Sequence, residues 1–176
     1  GEMAALIPVP LGRKAKAITA GDRHVCALLD NGTVKCWGGN DDGQAGIGTN
    51  VDPNAKIGDE PGEIASLNPI NLGAGRKVKV IAAGDSHTCA LLDNNTVRCW
   101  GANGDGQLGL GNNFDLGDDE LITSQPTVDL GTSRKVKNLV VGGLGYHNCA
   151  VFDDRSIKCW GYNDGSGTLG LGDKIG

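Results

Sequence analysis

Apolar and polar positions along this chain follow one course three times. In the middle stretch, Lys77-Val-Lys-Val-Ile-Ala-Ala83 opens on alternating charged and apolar residues, the period of a half-exposed β-strand. It ends small and apolar, which suits burial beside a neighbouring backbone. His87–Leu92 and Thr96–Trp100 follow as two further strands, and Pro69–Leu72 precedes as a short one. Proline cannot donate to a ladder, so the short strand is expected at a sheet edge. Pro8–Leu11 and Pro126–Leu130 are its counterparts. The pattern predicts an all-β chain of tandem four-stranded antiparallel blades of the β-propeller type. The three repeats span residues 1–61, 62–121 and 122–176.

The last two strands of each repeat form a hairpin whose register follows from its loop. Asp30-Asn31-Gly32 suits a three-residue loop, a type I turn closed by a residue in the left-handed region. Gly32 takes that position in the first repeat, Asn95 in the second and Arg155 in the third. Leu29 then faces Thr33, and counting outward places Cys26 opposite Cys36, Cys89 opposite Cys99 and Cys149 opposite Cys159. Opposed strand residues have Cα atoms about 4.5–5.5 Å apart, within reach of a disulfide. Three readings stand for the six cysteines: one disulfide per repeat, a metal site, or buried thiols. Zinc sites favour Cys-x2-4-Cys spacing, whereas nine residues separate each pair here. Buried thiols would not explain why both partners recur together. Disulfides are the expectation, and they imply an oxidising, extracellular or cell-surface setting.

Composition adds turns and removes partners. Thirty glycines and an aromatic share of 4 % fit short strands and tight turns, and 39 % hydrophobic residues suffice for a core. A formal charge of −5 gives no reason to expect nucleic acid or an anionic membrane. Apolar runs such as Leu139–Val141 are far too short for membrane insertion. Gly1-Glu2-Met3 matches Gly62-Glu63-Ile64, and Lys174-Ile175-Gly176 matches Lys56-Ile57-Gly58. The repeats are thus expected to be in phase with a longer array, and three open blades to need covering by further repeats or by copies of the chain.

The recurring Ala-Gly-Asp-x-His-x-x-Ala-Leu, Asp-Asn-x-x-Val-x-x-Trp-Gly and Asn-x-x-Gly-Gln-Leu-Gly-Leu-Gly resemble the repeat of the regulator of chromosome condensation family. That resemblance implies four-stranded blades, seven of which typically close a propeller. Its members range from a nuclear guanine-nucleotide exchange factor to repeat proteins without such activity. The cysteine pairs depart from the nuclear members and point to a secreted branch. The acidic linkers with Asp59, Glu60 and Glu63, then Asp118, Asp119 and Glu120, are longer than the family needs. The third repeat diverges most, with Ser166-Gly167-Thr168 where glycine-glutamine is expected.

Several residue sets carry candidate roles. His24, His87 and His147 recur once per repeat, which argues against one active site and for rings hydrogen-bonded to turn backbone. Trp37, Trp100 and Trp160 are expected to pack between blades, with a ligand or glycan platform as the alternative. Loops such as Asn40–Gln44 resemble calcium loops but lack the bidentate glutamate, so turn chemistry accounts for them. Arg13-Lys14-x-Lys16, Arg76-Lys77-x-Lys79 and Arg134-Lys135-x-Lys137 either block edge pairing or meet the acidic linker of an adjacent unit. Asn31 and Asn94 begin N-glycosylation sequons at hairpin tips expected to be exposed.

No acid–base or nucleophile set stands out, and neither an enzyme nor a cofactor is expected. The leading expectation is a structural repeat module of an extracellular fibre, coat or adhesive surface, partnered by copies of itself or further repeats and bearing glycans. The alternative is a piece of a closed propeller that binds protein or carbohydrate. A nucleotide-exchange regulator ranks third.

Overall fold

The computed structural model describes residues 6–48, 56–131, 134–142, 145–163 and 165–172. Nine strands form three antiparallel sheets among these residues. Repeat 1 contributes β1 (Ala15–Ala20), β2 (His24–Leu29) and β3 (Val34–Gly38). Repeat 2 contributes β4 (Val78–Ala83), β5 (His87–Leu92) and β6 (Val97–Gly101), and repeat 3 β7 (Val136–Val141), β8 (His147–Phe152) and β9 (Ile157–Gly161). Each sheet keeps sequence order, with the middle strand paired on both sides. The first strand pairs through a bulge near its start, as at Val78/Val80. The phase marks Gly1–Met3 and Lys174–Gly176 lie outside the described residues.

The expected hairpin register is present in all three sheets. Leu29 N–H donates to Thr33 O at 2.8 Å, and Cys26 pairs with Cys36, Cys89 with Cys99 and Cys149 with Cys159. Gly32, Asn95 and Arg155 all adopt positive φ, at 81°, 67° and 70°. Asparagine tolerates that conformation and arginine less so, yet the turn holds arginine there because the flanking ladder is closed.

The proline-marked segments depart from expectation. They lie at sheet edges, but of the preceding repeat. Ile70 N–H donates to Val34 O of β3, and Val128 N–H donates to Val97 O of β6, both at 2.9 Å. Lys35 Nζ reaches Ile64 O at 3.1 Å, and an Arg98 guanidinium nitrogen reaches Ile122 O and Gln125 O. Each segment makes too few ladder bonds to form a regular fourth strand, so the sheets are three-stranded with an extended flank. The linkers also fold back. Gly38 bridges Ile57, and Gly101 bridges Leu116, before the short helix α1 (Glu63–Ser66) and the 3-10 turn Ile122–Ser124. Residues 49–55 of the first linker fall outside the described residues.

One hydrophobic core runs through all three repeats, from Cys26, Val34 and Cys36 through Leu91, Val97 and Trp100 to Leu139 and Phe152. The first strands line up side by side, β1 against β4 and β4 against β7. Burying strands that are apolar on both faces requires a neighbour on each side, which stacked repeats supply.

Candidate functional site: the joint between repeats

His24 and His87 meet Trp100 and Trp160 at the joints between successive repeats. His24, at the start of β2, places Nε2 2.7 Å from Thr88 Oγ1 of repeat 2. Thr88 donates its hydroxyl to Gln44 O at 3.1 Å, so Nε2 of His24 must be the protonated nitrogen. Trp100 Nε1–H donates to the same Gln44 carbonyl at 3.0 Å. The second joint repeats this arrangement with a different acceptor. His87 Nε2 lies 2.8 Å from Asn148 Oδ1, while Asn148 Nδ2 donates to Gln107 O at 2.7 Å and Trp160 Nε1 donates there at 3.0 Å. Trp100 and Trp160 thus each reach the repeat before their own. His24 and His87 do not bond to turn backbone as expected; their partners are side chains of the next repeat.

Glycines shape the floor of each joint. Gly84 lies under the His87 ring, and a Cβ there would sit 2.6 Å from Nδ1. At Gly46, with φ of +65°, a Cβ would sit 2.6 Å from Trp100 Nε1. His24 Nδ1 and His87 Nδ1 are buried and find no hydrogen-bond partner. A second proton has nowhere favourable to go. Burial holds the His24 pKa down to about 4, the His87 charge adds to the effect and Asp85 opposes it. Burial also lowers His87, against the hydrogen bond of Asn148 and the charge of Asp85, with His147 adding to the depression.

Other predicted sites sit outside the joints. Disulfides join Cys26–Cys36, Cys89–Cys99 and Cys149–Cys159, with Cα separations of 4.0, 4.0 and 4.1 Å. These bonds point to an oxidising compartment of the secretory kind. Asn94 is exposed, whereas Asn31 is half-buried, because Gly32 O accepts from Val78 N–H of repeat 2. Both asparagines bond the sequon threonine through Oδ1, not through Nδ2, the atom a glycan joins. The glycine-rich loops use their oxygens internally. Asn40 Oδ1 accepts from Ala45 N–H and Gln44 Oε1 from Asp42 N–H, both at 2.9 Å, which is turn chemistry.

Among the described residues, the arginines of the basic starts pair with turn aspartates and not with the acidic linkers. Arg13 pairs with Asp30 at 2.7 Å, Arg76 with Asp93 at 3.2 Å and Arg134 with Asp154 at 3.5 Å, each within its own repeat. The linker acids Asp118, Asp119 and Glu120 instead crowd together within 4.8 Å. Burial, then hydrogen bonds with Asp119 and Asp118, push the Glu120 carboxyl up to about 7.

Thr88, Asn148 and the Gln44 and Gln107 carbonyls were not singled out by sequence. A signal was available in the residue just before the first cysteine of each pair, which is Val25, Thr88 and Asn148 in turn. Polar residues at two equivalent strand positions inside an apolar run mark buried partners.

Profiles of the regulator of chromosome condensation (RCC1) repeat match residues 15–44 and 78–107, and a second such profile matches 31–91. The chain belongs to the regulator of chromosome condensation repeat family. It is similar to the ultraviolet-B receptor UVR8 of Arabidopsis thaliana, at 31 % identity over 94 % of this chain and 34 % of the receptor. Among solved structures it resembles yeast RCC1 (Prp20), seen bound to Kap60, with a TM-score of 0.63 and 25 % identity over 90 % of this chain and 32 % of that one. It shares its fold with the CRINKLY ectodomain of the Arabidopsis thaliana receptor kinase ACR4, with a TM-score of 0.51 and 22 % identity over 92 % of this chain and 45 % of that one. The RCC1-type chain thus spans about a third to under half of these relatives.

Proposed function

We propose that this protein is a non-enzymatic structural repeat module of an extracellular or cell-surface assembly, a fibre, coat or adhesive surface. The observation that carries the reading is one disulfide in every repeat, at one register position. A bond repeated blade by blade hardens each unit on its own, which suits material that must persist outside the cell more than it suits a regulated exchange surface. Each bond closes a short loop and contributes roughly 2–3 kcal/mol. The likeness in fold to a receptor ectodomain is consistent with use of such blades outside the cell. The joints support the same reading. Their polar groups bond to one another between repeats and present no acid–base pair to a substrate.

A second reading has its own support. The chain covers only 34 % of the ultraviolet-B receptor it resembles, so these repeats fit within a longer propeller that presents its loops to protein or carbohydrate. Electron microscopy of the native material separates the two. Filaments or sheets are expected under the structural reading, and isolated rings would replace it with the binding-module reading. Mass measured before and after reduction checks the shared premise: the intact protein should gain about six hydrogens, two per bond.

A further inference from the structure

The formal charge of −5 is unevenly spread. The basic starts of the three repeats hold nine of the sixteen lysines and arginines, three in each. The first strand of each sheet skips one residue in its pairing, between Ala15 and Ala17, Val78 and Val80, and Val136 and Asn138. The skipped residue is a lysine every time, Lys16, Lys79 or Lys137, and each is exposed. A bulge leaves its extra residue unpaired and re-aims the side chain. Two residues earlier, Lys14, Lys77 and Lys135 are exposed as well.

These lysines and the hairpin tips form one band. The carbonyls of Lys14, Lys77 and Lys135 accept from the N–H groups of Asp30, Asp93 and Asp153 in their own tips, at 2.9, 2.7 and 2.9 Å. The first tip is tied to the next start, Val78 N–H donating to Gly32 O at 2.9 Å. The Lys77 stem lies over Gly32, where an added Cβ would come within 3.0 Å of it. Lys79 Nζ donates to Asn95 Oδ1 of the second tip at 2.6 Å. Asn94 and Asn95 in turn share a cleft with Lys135 at the joint to repeat 3. The equivalent cleft at the first joint, about 200 Å³, brings Thr33 and Asn71 beside Lys77. The band crosses both joints along the rim of the blades, so it needs no open face before repeat 1 or after repeat 3.

The two rims differ in sign. Tip aspartates take up Arg13, Arg76 and Arg134, which leaves the lysines in excess. In repeats 1 and 2 three cations stand against one tip carboxylate; in repeat 3 Arg155 offsets the additional Asp154, and Asp129 enters the second cleft. At the other ends of the same strands, Asp22 and Asp85 lie in the turns after β1 and β4, and Asp41, Asp42 and Asp105 lie in the loops after β3 and β6. Burial, then the charge of Asp115, raises the Asp42 carboxyl against a hydrogen bond with Ser86, and Asp41 and Asp85 add to the rise. A polyanion is repelled from that rim and drawn to the lysines.

We propose that the lysine band binds an acidic polysaccharide laid across successive blades. The proposal rests on the extracellular reading above, which supplies that class of polyanion. An ammonium is a compact point charge that suits dispersed anionic groups, whereas arginine suits bidentate pairing, and here the arginines are already engaged by aspartate. Duplex nucleic acid presents a charge roughly every 1.7 Å and would press phosphates onto the tip aspartates. A polysaccharide charged once per sugar or less spaces its anions more widely and offers hydroxyls to groups such as Thr33 and Asn71.

Binding of the disulfide-intact chain to polygalacturonate and to dextran sulfate, measured by biolayer interferometry beside neutral dextran and duplex DNA, tests this. Wild type should bind one or both acidic polysaccharides at about 50 mM salt and lose affinity as salt rises. The tighter arm assigns carboxylate or sulfate as the preferred anion. K16Q/K79Q/K137Q should weaken binding about tenfold, as three exposed charge contacts imply, with the melting curve unchanged. K79Q alone should weaken it about twofold, and K56Q, the same loss of charge outside the band, should not. The proposal is overturned by a wild type that binds neither polysaccharide at about 50 mM salt, by undiminished affinity in the triple variant, by equal effects of K79Q and K56Q, or by tighter binding of duplex DNA than of either polysaccharide. Whether microscopy shows filaments or rings is independent of all four results, so this contact and the structural-module reading fail separately.

Discussion

Repeats 2 and 3 have the same strand register, the same disulfide and the same turn, yet differ in burial. Every residue of β5 is buried, whereas β8 alternates between buried and half-buried, and β9 is exposed or half-buried throughout. Trp100 is fully buried and Trp160 is not. Repeat 2 has a neighbour on both sides and a covering segment on its outer edge, while repeat 3 has a described neighbour only at β7 and β8. Local structure in this fold is set within a repeat, and burial is conferred by the repeats beside it. That separation is the behaviour of a quasi-one-dimensional array, whose stability sums intrinsic and nearest-neighbour terms.

The largest test of this contrast is truncation of the tryptophans. W100A should lower unfolding free energy by about 3–5 kcal/mol, the range for a large core aromatic. W160A should cost about half as much by denaturant titration, since its ring is already partly in solvent. Equal losses would mean that neighbours do not set the contrast.

Acid probes the joints next. The folded His24 pKa, about 4, lies below the value of 6.5 expected when unfolded. Its contribution is therefore complete above pH 6.5 and is lost as pH falls toward 4, to a total of roughly 3 kcal/mol. His87 shifts in the same direction and adds to the loss. Melting curves between pH 7 and 4 should show the decline, and H24N should flatten it. A variant that keeps the full acid dependence would assign it elsewhere.

Removing a disulfide sharpens the other side of the comparison. Both loops have a sequence separation of 10, so C89A/C99A and C149A/C159A should each cost about 2–3 kcal/mol despite their different burial. A clearly greater loss in repeat 2 would show that burial, not loop closure, governs these bonds. The smallest effect is expected at the half-exposed Arg76–Asp93 pair, where R76A should change stability by less than about 1 kcal/mol. R134A should exceed it, because Arg134 also bonds Ser156 Oγ at 2.6 Å and lies 4.8 Å over the Phe152 ring.

The sequence by itself determined what is local. Alternation located the three regular strands of the middle repeat within a residue, the fourth proved to be only an extended flank, and a three-residue loop set each hairpin register. That register put the cysteines opposite one another, because antiparallel pairing has a fixed count outward from its turn. Tryptophan was legible as a joint residue from its period, and histidine as a structural one. Their partners were not, because Thr88, Asn148 and the Gln44 and Gln107 carbonyls come from other repeats and carry no local pattern of their own. Nor could the chain say which sheet owns a proline-marked segment. Pro69–Leu72 and Pro126–Leu130 follow their linkers and look like the start of a repeat, yet they cover the repeat before. Only the tertiary structure decided that, because an edge strand with one donated bond takes its place from the apolar surface it covers, and Val34 and Val97 supply that surface across the joint.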